Sequence, residues 1–160
     1  MNGGWIRALF LSSWLVALDA WVKMIARLGA CPGDKTGPWT TPTSCEDVTI
    51  VGDLALAPAV RAGLPGIALG DPLTRQLAAL GVIAAVVIVT IAIARSRRRQ
   101  PADLLAVSCL WSAAAIWSAP MLVGPGVAFT EFAAAGLAFG IGDLAMALGT
   151  IWLLVERIRA

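Results

Sequence analysis

Four stretches of the sequence are almost wholly apolar: about Ile6–Leu28, Leu73–Ala94, Leu104–Val123 and Ala134–Val155. Each runs to roughly 20 residues, and a helix of that length rises about 30 Å, the depth of bilayer hydrocarbon. The runs are continuous rather than alternating, which excludes a membrane β-barrel. With 59% hydrophobic and 14% charged residues in a chain of 160, a water-soluble core of ordinary composition is excluded as well. The expected fold is an all-α membrane protein with four transmembrane helices. Residues 1–160 form one domain, with an insertion at about 30–72 between the first two spans.

The charges set an expected topology. Arg95, Arg97, Arg98 and Arg99 crowd the joint between spans two and three, Arg157 and Arg159 follow span four, and Arg7 begins span one. Positive charge collects on the cytoplasmic side. Both termini and the arginine-rich joint are therefore expected inside, and the segments 30–72 and 124–133 outside. The net charge of +2 is thereby absorbed by topology, and nucleic acid is not an expected partner. Membrane lipid is.

The sequence has no His and no Tyr, and neither a phosphate-binding glycine loop nor a Cys-x-x-Cys pair. His-based triads, most zinc sites and imidazole proton relays are excluded, and no cofactor is expected. Cys31 and Cys45 both fall in the outer segment, where oxidising conditions permit a disulfide. Cys109 lies in span three. "LGAC" at Leu28–Cys31 looks like a lipobox, but a signal core is a short run without charges. Here Asp19, Lys23 and Arg27 interrupt it, so the stretch is read as a retained span.

The outer segment divides. "CPGDKTGPWTTPTSC" is rich in proline, glycine and polar turn formers, hence loop. "VTIVGDLALAPAVRAG", Val48–Gly63, is β-branched and partly alternating, broken at Gly52 and Pro58, and is read as short strands at the membrane surface. Gly63, Pro65, Gly66 and Gly70 then bend the chain back. Trp5, Trp14, Trp39 and Trp117 are placed near interfaces, and Trp111 and Trp152 at the opposite one.

Charges inside the spans mark the candidate site, because an ionisable group in hydrocarbon is costly and is usually paired or functional. Asp19 and Lys23 are four apart and share a helix face. Asp143, in "LAFGIGDLAMALG", has no basic residue in its own span before Arg157. Gly136 and Gly140 have the spacing that admits a neighbouring helix near it. Glu131, just before span four, is a second carboxylate at the outer surface. Two carboxylates sharing a proton can divide the work of base and acid without His or metal.

These motifs, in this order, resemble signal peptidase II, the lipoprotein signal peptidase family. "LDAWVK" is similar to its Asp-x-x-x-Lys and gives Asp19 and Lys23 as supporting residues. "IVGDLALAPAVRAG" is similar to the outer β-cradle ending in Val-Arg-Asn and gives Arg61. "FGIGDLAMALG" is similar to the last motif and places Asp143 on a catalytic aspartate. The resemblance implies a bacterial cytoplasmic membrane, four spans with both termini inside and an aspartic dyad at the outer surface. It also implies cleavage of diacylglyceryl-modified prolipoproteins before the lipidated cysteine.

The departures fall on the site. The partner aspartate stands at Ala128, in "GVAFTEF"; the asparagine after Val-Arg is Ala62; Ser118, in "WSAP", stands near another asparagine; Gly140 replaces a third. Two classes of function follow as expectations. One is an aspartic endopeptidase using Asp143 with Glu131. The other is a non-catalytic relative that binds lipoprotein signal segments or lipid, or joins a larger complex of membrane chains.

Overall fold

The computed structural model describes residues 3–31, 45–46, 48–64, 67–69, 71–95, 101–123, 127–134 and 137–159. Trp39, Pro65, Gly66, Gly70, Arg97, Arg98, Arg99 and Gly136 lie outside them. Four helices carry the fold: α1 (Gly3–Ala30), α2 (Pro72–Arg95), α3 (Pro101–Val123) and α4 (Ile141–Arg159). By length and composition α1, α2 and α3 are able to cross a membrane. The 19 residues of α4 rise ~28 Å, close to the ~30 Å of hydrocarbon, and α4 packs along α3.

The middle of the bundle is α3. Of its apolar window 61% is buried, against 17% for those of α1 and α2. Its sequence explains the position. Ala106, Ser108, Ser112, Ala113, Ala114 and Ser118 are small and buried, so neighbours approach closely on several sides. The serine hydroxyls cost nothing inside, because Ser108 donates to Leu104 O at 2.7 Å and Ser112 to Ser108 O at 2.8 Å. The outer faces instead present Phe10, Trp14, Trp21, Leu77, Ile88, Leu148, Ile151 and Ile158 to the surroundings. Such a surface is stable against hydrocarbon, not water.

Fit between α3 and α4 depends on two glycines. A β-carbon at Gly142 would lie 2.8 Å from Ile116 Cγ2, and one at Gly149 would lie 3.0 Å from the Ala106 carbonyl oxygen. These are the small residues that admit the neighbouring helix. Gly140, expected in that role, precedes α4 and has another one.

The fourth apolar run does not become helix along its whole length. Residues expected to begin a helix at Ala134 enter a β-sheet, and α4 starts at Ile141. The sheet also draws on two connections rather than one. Strands β1 (Val48–Val51), β2 (Leu54–Leu64) and β3 (Ile67–Ala68) come from the α1–α2 segment, and β4 (Val127–Ala134) and β5 (Leu137–Phe139) from the α3–α4 segment. The order is β1-β2-β4-β5, with β3 also paired to β2. The reason is physical: β2 flanked by β1 alone would leave an apolar edge with unpaired backbone groups. The run "VAFTEFAA" supplies the missing antiparallel partner, and Phe132 and Phe139 stack across the β4–β5 pair at 5.8 Å.

Two expected breaks have defined places. Gly52 sits at φ +55° in the two-residue turn between Val51 and Leu54, where a hairpin wants positive φ. Pro58, which has no N–H for a ladder, falls within the register shift between Leu56 and Ala59.

Candidate functional site

Chain direction gathers the C-terminus of α1, the N-terminus of α2, the C-terminus of α3 and the N-terminus of α4 at one end of the bundle, where the sheet also lies. Cys31 and Cys45 are joined there by a disulfide, with Cα atoms 4.2 Å apart. It ties the end of α1 to the segment entering the sheet, and Glu46 N–H donates to Ala30 O across the same junction at 2.7 Å.

The sheet-side half of α1 carries a buried ion pair. Lys23 Nζ lies 2.7 Å from Asp19 Oδ2, one turn away, and both side chains are 3% exposed. The other oxygen, Asp19 Oδ1, is buried and accepts no hydrogen bond among the described residues. Arg27, a further turn on, is buried too.

Asp143 stands in the first turn of α4. Its Oδ2 accepts from the backbone N–H of Gly140 at 3.0 Å, and its Oδ1 from Trp117 Nε1 at 3.2 Å. The first of these is half of a capping box. Gly140 occupies the N-cap, its carbonyl accepts the first helical bond from Leu144 at 3.2 Å, and an acid three positions on returns to its N–H. Gly142 keeps Trp117 in place, since a β-carbon there would lie 3.1 Å from the indole nitrogen. Asp19 and Asp143 are close enough to interact electrostatically, so α1 and α4 present two carboxylates and one ammonium to a common region.

The other residues singled out in the sequence do not all join this cluster. Ser118 is buried and donates to Ala79 O at 3.4 Å, a bond from α3 to α2. Arg61 and Ala128 face one another in the β2–β4 register, and Ala62 pairs with Val127. Glu131 lies in β4, three positions beyond Ala128. Trp111, expected at an interface, donates within the bundle to Thr90 Oγ1 at 3.0 Å.

Sequence reasoning missed three contributors to the site and its packing. Trp117 was placed at an interface by its type; its hydrogen bond to Asp143 spans 26 positions, which no local pattern reveals. Gly142 and Gly149 were legible in principle, because their spacing of seven with Ala145 between them is a small-residue helix face.

Chemically, the cluster supplies a carboxylate held by two fixed donors and a neighbouring acid neutralised by lysine. It does not supply a second carboxylate at position 128. Among the described residues no group of three or more His, Cys, Asp or Glu is placed to hold a metal ion.

No known protein family and no curated protein matches the chain. Solved structures do. A bacterial membrane enzyme determined by the in meso method at 2.3 Å resolution superposes with a TM-score of 0.74 at 15% identity, over 96% of this chain and 88% of that one. Another bacterial membrane enzyme, determined by the same method at 1.9 Å, gives 0.70 at 12% identity, over 94% and 91%. The chain therefore shares its fold with these two structures along nearly its whole length.

Proposed function

We propose that the chain is a signal-peptidase-II-like membrane protein that binds a lipid-modified signal segment without cleaving it. In this reading it sits in a bacterial cytoplasmic membrane with the sheet outward. The observation that carries the proposal is the alanine at position 128, opposite Arg61 in the β2–β4 register. An aspartic dyad needs one carboxylate to activate water and another to protonate the leaving group. Asp143 has its oxygens engaged by Gly140 and Trp117, and alanine offers nothing to exchange a proton with. Binding needs no such pair. An apolar bundle closed at one end by a sheet has surface for an acyl chain and an extended peptide.

A second reading keeps proteolysis. Asp19 Oδ1 lacks a hydrogen-bond partner among the described residues, and Asp19 interacts electrostatically with Asp143. That acid would then take the part of the absent one. Glu131, three positions beyond Ala128 in β4, is the other candidate.

One experiment separates the readings. Purified protein in nanodiscs is mixed with a diacylglyceryl-modified prolipoprotein, beside an active lipoprotein signal peptidase as control. Binding is followed by co-elution and cleavage by a mobility shift. The binding reading expects stable co-elution with no product above background. Product that disappears in Asp143→Asn and in Asp19→Asn or Glu131→Gln overturns it in favour of a rebuilt protease. Neither co-elution nor product overturns both.

A further inference from the structure

Trp117 and Asp143 meet where α3 packs on α4, and several features of the chain serve that meeting. The turn of α3 that carries the indole is anchored on two sides. Ile116 is buried against α4, where Gly142 leaves it room, and Ser118 is buried and bonded to Ala79 O of α2. The indole is thereby delivered to the first turn of α4, with Nε1 3.2 Å from Asp143 Oδ1. Gly142 keeps that approach open. A β-carbon there would stand 3.1 Å from Trp117 Nε1 and 2.8 Å from Ile116 Cγ2. The other carboxylate oxygen, Oδ2, accepts from the backbone N–H of Gly140 at 3.0 Å.

The kind of donor decides what the carboxylate can do. A water, a hydroxyl or a second carboxyl gives a proton and takes one back. An indole N–H and a peptide N–H only donate, and have no lone pair with which to receive. Hydrogen bonds to a charged acceptor are the stronger kind, so two such donors orient Asp143 firmly. They give it no partner for proton exchange, which general acid–base work requires.

We infer that Trp117 is a positioning residue that locks Asp143. The site is then disarmed at two places: at position 128, where a carboxylate is missing, and at position 117, where a donor-only ring holds the carboxylate that remains. Gly142 makes the lock possible. The lock deepens, and rests on, the reading of the site as one that binds without cleaving. A carboxylate restored at position 128 would still meet an Asp143 held by Trp117.

A labelling experiment reads whether Asp143 is open. It uses no prolipoprotein, so the lock can fail while the binding reading stands, and the reverse. The full chain in mild detergent is treated with dicyclohexylcarbodiimide, an apolar reagent that adds to carboxyl groups, and adducts on Asp143 and Asp19 are quantified by peptide mass spectrometry. Asp19, buried beside Lys23, is the internal control for intact packing. Trp117→Phe keeps a ring and removes the N–H. Labelling at Asp143 is expected to rise about tenfold, the scale of one hydrogen bond to a charged group, with Asp19 unchanged. Trp117→Gln keeps an N–H donor and should stay near wild type. Gly142→Ala leaves both partners chemically intact, displaces the indole and should raise labelling at Asp143 alone. Ala128→Asp by itself should give no product from a diacylglyceryl-modified prolipoprotein. Equal labelling of Asp143 in wild type and folded Trp117→Phe overturns the proposal. So does a Trp117→Gln protein labelled as fast as Trp117→Phe, or product from Ala128→Asp with Trp117 in place. If Trp117→Phe unfolds and labels Asp19 as well, Gly142→Ala decides: a rise confined to Asp143 supports the lock, and no rise overturns it.

Discussion

At the scale of single residues, the pair Asp19–Lys23 is an electrostatic commitment made inside the fold, 3% exposed and 2.7 Å apart. A buried pair is held by mutual compensation, so breaking it is worse than deleting it. Asp19→Leu leaves a buried ammonium without its carboxylate and should cost about 3–5 kcal/mol. Asp19→Leu combined with Lys23→Met should cost much less. Unfolding in mixed micelles, run as a double-mutant cycle, measures the difference. The pair was legible in the sequence, because two charges four apart in an apolar run have few other arrangements. Asp143 was legible as an intramembrane acid but not as the acid of a capping box. That role depends on α4 beginning at Ile141, and an unbroken apolar run conceals such a start.

At the scale of elements, α2 has a start written out in full. Asp71 caps it, Pro72 opens it, and Thr74 donates to both carboxylate oxygens of Asp71, from its backbone N–H and its hydroxyl, each at 2.7 Å. Those two bonds, the hydroxyl's foremost, hold the Asp71 carboxyl below its ordinary range. The sign follows. A carboxyl depressed in the folded state contributes stability above its unfolded value, and that contribution is lost as pH falls through the depressed folded one. The protection factors of amides in the first turn of α2 should therefore fall as pH drops below about 4, and not in milder acid. Asp71→Asn, which still caps but does not titrate in that range, should remove the pH dependence; an unchanged profile would refute the assignment. Helices α1 to α3 were readable from the sequence within a few residues, since apolar length alone defines them. The strands β4 and β5 were not. "VAFTEFAA" adjoins an apolar helix with no charge between them, and only the open edge of β2 decides its state.

At the scale of the whole molecule, the disulfide Cys31–Cys45 ties the end of α1 to the segment that enters the sheet. A separation of 14 residues corresponds to about 3 kcal/mol of stabilisation, chiefly through the unfolded chain. Cys45→Ser should lower stability by about 2–4 kcal/mol, and a reductant should add nothing further to that variant. Thermal unfolding in detergent with and without reductant checks both. The sheet carries a different consequence, one of timing. Its central seam joins β2 to β4, and two whole helices lie between them in the chain. When β2 leaves the ribosome its partner has not been made, and it must keep an open edge until α2 and α3 have been threaded into the bilayer. The molecule is therefore assembled as a hairpin of helices first and stitched shut last, and anything that stalls synthesis before β4 leaves behind an adhesive half.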